Sequence, residues 1–109
     1  MGASKKEFFP EKQNTIATLC KAFGHPARVI IIEHLLFVNE CIAEDFLELI
    51  PLSRATIWQH LQELENARLI IGNFKENTFR YKINSLKIEN VKSYFLEVSS
   101  RVKIPLSAK

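Results

Sequence analysis

A mainly α-helical domain with one β-hairpin is the fold class that the sequence predicts, and three observations support it. Apolar residues recur at helical spacing through most of the chain. A helix with one polar face follows a shorter helix after the brief connection IPL. An alternating segment comes next, preceded by turn residues. Helix, turn, helix and hairpin in this order outline a winged helix-turn-helix with about five helices.

Length and composition describe one folded domain. Of the 109 residues, 47% are apolar and 25% are charged, which is typical of a globular chain and not of a disordered one. We expect a domain over residues 11–102 and a tail over 103–109. The arm over residues 1–10 is expected to be poorly ordered, or docked only through Phe8 and Phe9.

Charge is distributed unevenly along the chain. Residues 1–68 carry seven Lys and Arg against nine Asp and Glu, whereas residues 69–109 carry eight against three. A net charge of +3 does not by itself indicate a polyanion partner. The basic second half favours one.

The sequence favours a soluble cytoplasmic protein and argues against an enzyme. No signal-peptide pattern is seen, and the longest apolar run, VIIIEHLLFV, is too short to span a membrane. Cys20 and Cys41 lie far apart without a CxxC pattern, which fits a reducing compartment. The sequence has no Gly-rich phosphate loop, no paired carboxylates in a plausible pocket and no favoured Ser/His/Asp set. No catalytic residue and no cofactor are therefore predicted.

Two apolar helices open the domain. The first is predicted from residue 11 to about 22 and ends at Gly24; its apolar stripe consists of Ile16, Leu19, Cys20 and Phe23. Pro26 suits the first turn of the second helix, because its missing N–H would be unpaired there in any case. The β-branched run that follows also fits a buried strand, but its length favours a helix. His25 is expected to be a cap or turn residue.

The next two helices form the helix-turn-helix. A short helix is predicted over roughly residues 42–49, where Ile42, Phe46, Leu49 and Ile50 follow helical spacing and Pro51 ends the element. Ser53 is a good N-cap for the longer helix, which continues to about Ala67, because its hydroxyl can accept from a free N–H of the next turn. The face of this helix opposite Ile57 and Leu61 should point to solvent; it carries Arg54, Ala55, Trp58, Gln59 and Gln62.

A hairpin and a long helix complete the domain. Phe79, Tyr81 and Ile83 alternate with Arg80 and Lys82, which is typical of a half-buried strand, and KEN at 75–77 is predicted to be the hairpin tip. The last helix repeats apolar residues every three or four positions, at Ile88, Val91, Phe95, Val98 and Val102. This is the spacing of one helix packing along another, so an interface is expected there.

Three segments of the sequence resemble the ArsR/SmtB family of small winged-helix transcriptional regulators. They are LCKAFGHPARVIIIEHL, LSRATIWQHLQELENARLI and NTFRYKI, and together they span about Leu19 to Ile83. The resemblance implies a homodimeric repressor that binds an inverted repeat in double-stranded DNA. It also implies that the first and last helices form the dimer interface, to which we assign Ile16, Leu19, Ile88, Val91, Phe95 and Val98.

The resemblance also assigns the DNA contacts. Arg54, Ala55, Trp58 and Gln59 are expected to face the major groove, and Ser53 and Thr56 to meet phosphate. The chemistry agrees, because the guanidinium of arginine matches the O6 and N7 atoms of guanine and the amide of glutamine can pair with adenine. On the hairpin, Lys75 and Arg80 are assigned to phosphate or minor-groove contacts. Hairpin lysines also serve commonly as solubility devices.

Trp58 occupies a position that is usually small and polar in the family. Three interpretations stay open. The ring packs on a thymine methyl and a sugar edge, or it stacks over Arg54 in a cation–π contact, or it covers a neighbouring helix and never meets DNA.

The metal sites of the family have no counterpart in this sequence. The positions of its Cys-x-Cys pair fall on Ile42 and Glu44, and there is no histidine after His60. Cys41, Glu44 and Asp45 do not form a clustered four-ligand set, so no metal is predicted. His34 is interpreted as a helix-flank residue and His60 as a packed residue of the recognition helix. The effector is left unassigned.

Two further alternatives stay open. Cys20 and Cys41 form a thiol switch, as cysteine pairs do in some relatives, or they are a small core residue and an inert junction residue. The chain is a DNA-binding regulator, or it is a winged-helix module that docks a protein partner through the Trp58 face or the wing. The second reading gains weight because the recognition helix has one arginine and no lysine.

Overall fold

The computed structural model describes residues 6–103 and has the predicted winged helix-turn-helix architecture. In chain order, a 3₁₀ turn (Lys6–Phe8) precedes α1 (Glu11–Phe23), α2 (Pro26–Val38), β1 (Cys41–Ile42), α3 (Glu44–Leu47), α4 (Arg54–Asn66), β2 (Ile70–Lys75), β3 (Thr78–Ile83) and α5 (Ser85–Arg101). The helix-turn-helix is α3 and α4, and the wing is the β2–β3 hairpin.

One apolar core holds the helices and the sheet together. α2 packs against α4 and β3, and α1 packs against both α2 and α4. The largest fully buried side chains of this core include Leu19, Ile31, Leu35, Phe46, Ile57, Leu61, Leu64 and Tyr81. Phe46 is the one fully buried residue of the short helix α3, so it fixes α3 against the core. Each fully buried aliphatic or aromatic side chain contributes about 1.5–3 kcal/mol of transfer free energy, so this cluster positions α4 firmly.

The sheet has three antiparallel strands in the order β1-β3-β2. The wing turns at Glu76 and Asn77, whose φ angles are 52° and 63°. A two-residue hairpin turn of type I′ has left-handed backbone at both positions, and asparagine accepts that conformation better than most residues. KEN therefore forms the tip as predicted, with Lys75 as the last residue of β2.

Two of the predicted helix starts are confirmed in detail. His25 is the N-cap of α2, and its Nδ1 accepts a hydrogen bond from the Ala27 N–H at 3.0 Å, with Pro26 in the first turn. Ser53 is the N-cap of α4. His25 together with Pro26 thus defines the start of α2, and Ser53 defines the start of α4.

The segment before the turn of the helix-turn-helix differs from the prediction. The helix expected over residues 42–49 is only Glu44–Leu47, because Cys41 and Ile42 pair with β3 as strand β1. Ile50 is buried as its spacing indicates, but Leu49 is exposed. Pairing with the wing outweighs helical periodicity here.

Three expectations about the first 20 residues need correction. Lys6–Phe8 form a 3₁₀ turn, and both Phe8 and Phe9 are exposed instead of docked. Cys20 is exposed and is not a core residue. Leu19, assigned to the dimer interface, is buried in the core of the domain and leaves almost no surface for a partner. The remaining residues of the arm, 1–5, and residues 104–109 of the tail lie outside the described part of the chain.

The long helix α5 lies largely exposed on the surface of the domain. None of its 17 residues is buried, and Leu86, Phe95, Leu96 and Val98 are exposed. Ile88 and Val91 are half-buried and pack against the core of the domain. Within residues 6–103, no single helix is long and apolar enough to cross a membrane; α1 and α2 together meet that test of length and composition but are bent by 94°.

Candidate nucleic-acid interface

The helix α4 presents the face that the sequence predicts. Ile57, His60, Leu61 and Leu64 are buried, whereas Arg54, Ala55, Trp58, Gln59 and Gln62 are exposed. The inner positions recur at intervals of three and four, so one side of the helix is committed to the core and the other is free. This outer face is a surface of polar side chains around one tryptophan.

The beginning of α4 is fixed by a short hydrogen-bond network. Ser53 Oγ accepts from the Thr56 N–H at 3.2 Å and lies 3.0 Å from Thr56 Oγ1. Both hydroxyls are at the positive end of the helix dipole, where backbone N–H groups also point outwards. A phosphate oxygen is the ligand that such a helix end favours.

Arg54 is held by a carboxylate from the preceding helix. Its Nη1 lies 3.0 Å from Glu44 Oε2, and both side chains are largely exposed. An exposed pair of this kind is worth about 0–1 kcal/mol. Arg54 can therefore leave Glu44 at small cost, and Glu44 lowers the positive charge of the surface until it does.

The wing lies beside this helix. Lys75 is exposed near the tip and its Nζ is 3.8 Å from Glu40 Oε1. Phe74 and Phe79 are also exposed. They are directly opposite each other in the β2–β3 register, so both rings are on one face of the hairpin. The wing therefore offers an aromatic face as well as a cation.

Arg80 lies further from the wing tip than Lys75. It is opposite Asn73 on one side and Ile42 on the other, in the central strand β3. Its Nε is buried and has no hydrogen-bond partner among the described residues. This placement makes Arg80 a less direct phosphate ligand than Lys75.

A cavity of about 700 Å³ separates α4 from the wing. We call it the reader–wing cavity. Its lining includes Leu47 of α3, Arg54, Ala55 and Trp58 of α4, and Phe79 and Tyr81 of β3. Trp58 is 49% exposed and forms part of this wall. Three of the four residues expected to face the major groove thus also line a concave site.

Gly72 sets the position of the Phe79 ring. A Cβ atom at Gly72 would lie 2.4 and 2.7 Å from two atoms of that ring and 2.9 Å from Glu65 Oε2. These distances are shorter than any normal contact, so a larger residue would push the ring away from β2. Only glycine allows the ring to lie as close to the sheet as it does.

The opposite side of α4 is tied to α2 through His60. Arg28 Nε donates to His60 Nδ1 at 3.0 Å, and the His25 and His60 rings are 4.3 Å apart between centroids. Burial lowers the pKa of His60 below 6.5, and His25 and Arg28 lower it further, whereas Glu63 acts in the opposite direction. His60 is therefore a neutral, packed residue, as its position in the sequence indicates.

The structure narrows the interpretations of Trp58. Among the described residues, none of the ring contacts involves Trp58, and the Arg54 guanidinium is bound to Glu44 instead of stacking on the indole. About half of the Trp58 surface is exposed, so the ring is open to contact from outside the chain. The contact of Trp58 with DNA stays a prediction.

The two cysteines are in unlike surroundings. Cys41 is buried, and burial together with Asp45 and Glu40 raises its pKa to about 12. A thiol with so high a pKa is almost entirely protonated at neutral pH, and the thiolate is the reactive form. Cys20 is exposed on α1. These surroundings oppose the proposal of a paired thiol switch.

No metal centre is formed by the described residues: no group of three or more His, Cys, Asp or Glu side chains is placed to hold an ion. His34 packs edge-on against Phe46, with ring centroids 5.5 Å apart. It is half-buried, as expected for the flank of α2.

Several contacts of α4 and the wing were missed by sequence reasoning. On the exposed surface Glu44 pairs with Arg54 and Glu40 pairs with Lys75, and on the buried side of α4 Arg28 holds His60. Each pair joins separate elements, and no periodicity connects its members. Phe79 was expected in the half-buried set of the strand, and its exposure follows from its place near the wing tip.

Comparison with known proteins extends the description of the fold. No model of a known protein family matches the sequence, and no curated protein matches it either. Solved structures do match. An ArsR-like transcriptional regulator from Rhodococcus sp. RHA1 has a TM-score of 0.74 at 18% identity, covering 84% of this chain and 85% of its own.

Two further structures agree. The transcriptional repressor PagR of Bacillus anthracis has a TM-score of 0.64 at 23% identity, covering 76% of this chain and 94% of its own. NolR from Sinorhizobium fredii has a TM-score of 0.65 at 20% identity, covering 94% and 99%. The resemblance to ArsR-type regulators is thus confirmed at the level of structure, and the chain has the winged helix-turn-helix fold of these proteins.

Proposed function

We propose that this protein is a sequence-specific DNA-binding transcriptional regulator of the ArsR type. It acts as a homodimeric repressor, and α4 of each protomer lies in the major groove of an inverted-repeat operator. The observation that carries this proposal is the exposed outer face of α4, which begins at the Ser53 cap and lies beside the wing. The similarity to an ArsR-like regulator and to a repressor supports it.

The roles of the interface residues follow from their chemistry. Arg54 exchanges Glu44 for a guanine edge, which is favourable because a bidentate base contact is worth about 1–3 kcal/mol and the exposed ion pair is worth less. Gln59 is available for adenine. Ser53, Thr56 and the first N–H groups of α4 bind phosphate and set the register. Lys75 binds phosphate from the wing tip, and Arg80 supports it from the strand.

The dimer interface is assigned to α5 together with α1. Phe95 and Val98 expose apolar surface along one seam of α5, and Ile16 is half-exposed on α1. Within the described residues the two helices are joined by the Lys12–Glu97 ion pair, 3.4 Å long. An apolar helix left open to water favours association with a second copy. The two α4 helices of such a dimer would address half-sites about 34 Å apart.

The test is selection of binding sites from a random duplex pool, followed by affinity measurements on the enriched sequence and on random DNA. Enrichment of an inverted repeat is the expected result. Arg54→Ala should weaken the enriched site by about 1–3 kcal/mol while changing random DNA much less, because base contacts discriminate and phosphate contacts do not. Failure to enrich any sequence would contradict the proposal.

Arg68→Gly is the matched control, because it removes the same charge at the far end of α4. Arg68 has a φ of 64°, a conformation that glycine adopts without strain, so the fold should not suffer. The control should bind the enriched site like the unchanged protein. If Arg54→Ala and Arg68→Gly lose affinity equally, Arg54 acts only through net charge.

A protein-interaction module is the second candidate, and one observation favours it. Arg54 and Lys75 are both neutralised by carboxylates, and Trp58, Phe74 and Phe79 are exposed around them. Aromatic residues of this kind are enriched at protein interfaces. Retention on heparin or random duplex that disappears with added salt is expected of the DNA-binding protein and not of the module.

A further inference from the structure

A cleft of about 680 Å³ lies between α1, α2 and the C-terminal end of α4. We call it the α1–α4 cleft. Its volume is within the range of about 300–1,000 Å³ that is typical of ligand sites. α1 contributes Ala17 and Lys21 to its lining, α2 contributes Arg28, and α4 contributes Glu63 and Asn66. None of the residues assigned to DNA lines it, so this cleft is separate from the proposed DNA-binding face.

Two cations in the cleft lack an acidic partner. Lys21 is exposed, and no ion pair within residues 6–103 includes it. Arg28 is half-buried; its Nε donates to His60 Nδ1 at 3.0 Å, and its Nη1 donates to the Ala22 carbonyl oxygen at 3.3 Å. Both acceptors are neutral, so they fix the guanidinium without compensating its charge. Because Ala22 follows Lys21 in the chain, the two cations lie at the same end of α1.

The third nitrogen of Arg28, Nη2, is available to a ligand. It has no hydrogen-bond partner among the described residues. It is also not one of the buried side-chain atoms that lack a partner there, so it is open to solvent. A guanidinium that is already fixed at two nitrogens loses little freedom when the third one binds. A carboxylate is the group that such a guanidinium and a neighbouring ammonium favour.

The opposite charge lies at the end of α4. Glu63 is exposed, and in the described part of the chain it belongs to no ion pair. Asn66 and Ala67 also line the cleft, and the C-terminal end of a helix carries partial negative charge that favours a cation. Glu63 raises the pKa of His60 and Arg28 lowers it, so both charges lie near the same ring. The cleft therefore has a cationic pole and an anionic pole close to each other.

The reader–wing cavity has no such arrangement. Its charged lining residues, Glu44 and Arg54, are paired with each other at 3.0 Å. A ligand gains charge-assisted hydrogen bonds most readily where the charged groups of a site do not already satisfy each other. Unpaired charges of both signs distinguish the α1–α4 cleft.

Apolar atoms complete the lining of the cleft. Phe9 lines it beside the small residues Ala17, Ala22 and Ala67, and its ring is 60% exposed. An exposed ring next to small side chains leaves room for an apolar group of a ligand. An α-amino acid combines such a group with a carboxylate and an ammonium on the same carbon atom.

We propose that the α1–α4 cleft binds a free α-amino acid with an apolar side chain. The carboxylate accepts from Lys21 Nζ and Arg28 Nη2, and the ammonium donates to the Glu63 carboxylate. The side chain of the ligand contacts Phe9 and Ala17. A ligand with one charge leaves one pole without a partner and therefore binds more weakly.

L-Leucine and L-phenylalanine are suitable probes, because both carry the two charges and an apolar side chain. A proton–nitrogen correlation spectrum of the protein reports on the backbone amides of the cleft. At least one of the two amino acids, at millimolar concentration, should shift the amide signals of Lys21, Ala22 and Asn66 saturably. The signals of the wing tip, Glu76 and Asn77, should stay in place. If neither amino acid shifts the signals of the cleft, the proposal is overturned.

Two analogues of leucine separate the two poles. 4-Methylpentanoate lacks the ammonium group and 3-methylbutylamine lacks the carboxylate, and both keep the side chain. Each should bind about tenfold more weakly than leucine, because each leaves one pole without a partner. If phenylalanine is the tighter ligand, 3-phenylpropanoate and 2-phenylethylamine are the corresponding pair. An analogue that binds as tightly as its parent amino acid would overturn the two-pole site.

Substitutions at the two poles should act on different analogues. Lys21→Met should weaken leucine and 4-methylpentanoate about tenfold but not 3-methylbutylamine, whereas Glu63→Gln should weaken leucine and 3-methylbutylamine but not 4-methylpentanoate. Both positions are exposed, so the fold should tolerate both changes. Lys12→Met and Glu48→Gln are the matched controls outside the cleft. If the two cleft variants weaken all three compounds alike, or no more than the controls do, the site is wrong.

This site does not rest on the proposed DNA-binding function. Amino-acid binding without an enriched DNA sequence would support the site and refute that function. An enriched sequence without amino-acid binding would refute the site alone.

Discussion

The helices α4 and α5 are both amphipathic, yet they stand in opposite relations to the core. α4 buries Ile57, His60, Leu61 and Leu64 and turns its polar side to solvent. α5 buries no residue and exposes Phe95 and Val98. An apolar stripe can therefore be buried within its own chain or stay exposed for contact with a second chain, and the sequence pattern is the same in both cases.

This difference separates folding from assembly. The buried side of α4 stabilises the fold of the chain, so its exposed side is available for reversible binding of a ligand. α5 adds little to the core, so its stripe can be used for association without loss of the fold. Four predictions follow from this division, from the largest expected effect to the smallest.

Leu61→Ala should lower the free energy of unfolding by roughly 2–5 kcal/mol, because Leu61 is fully buried and alanine leaves a cavity. Leu96→Ala on α5 is the matched control. Leu96 is exposed, so its removal should change stability by less than about 0.5 kcal/mol. Urea unfolding followed by circular dichroism measures both. Similar losses in the two variants would contradict the division.

Phe95→Asp should weaken the proposed homodimer roughly 30-fold or more, since an anchor residue of an interface is worth about 2 kcal/mol or more. Its helix content should stay unchanged, because Phe95 is half-exposed in the protomer. Sedimentation equilibrium gives the dissociation constant, with Leu96→Asp as the control beside the seam. A chain that is monomeric before substitution would rule out the interface.

Ser53→Ala should lower the free energy of unfolding by about 1 kcal/mol, because the Thr56 N–H loses its acceptor. Ser53→Asp restores an acceptor and should recover this loss. The added negative charge should nevertheless weaken DNA binding at all sequences. If Ser53→Asp binds DNA like the unchanged protein, phosphate does not approach this end of α4.

Acidification should destabilise the protein slightly through His60. The pKa of His60 is lowered in the folded state, so below pH 6.5 the unfolded chain binds the proton more readily. The contribution is complete above pH 6.5 and is lost as the pH falls towards the lowered value. Urea midpoints between pH 8 and pH 5.5, pH values chosen to avoid most carboxyl titration, measure it.

His60→Asn is the control for this pH dependence. The asparagine side chain offers an acceptor to Arg28 near the position of Nδ1 but does not titrate in this range. Stability should fall less on acidification in this variant than in the unchanged protein. An identical fall would assign the effect to other groups.

The order of elements and the outer face of α4 could be predicted from sequence, because both depend on local periodicity and on caps such as Ser53 and His25. Strand β1 could not, because two residues carry no period and Cys41 and Ile42 exist as a strand only through pairing with β3. The stripe of α1 was assigned as a whole, but helix packing buries Leu19 and exposes Cys20. Leu19 and Cys20 are neighbours on one face of α1, and only the packing of another helix determines which of them is buried.

The basic residues of the candidate site were predicted from the sequence, but the acidic residues that pair with them were not. Arg54 and Lys75 were found because their type and position suit DNA, whereas Glu44 and Glu40 come from other elements of the fold. The cavity depends on the angle between α4 and the wing, which no single segment encodes. Tyr81 was correctly placed in the strand, but its unpaired hydroxyl is a property of the folded chain alone.

Gly72 has no side chain, and this leaves room for the Phe79 ring beside strand β2. The Phe79 ring occupies the space that a methyl group would take, with Glu65 on the other side. A methyl group at this point would displace the ring, which lines the reader–wing cavity together with Trp58. Alanine at this position would therefore change the shape of the cavity from the wing side.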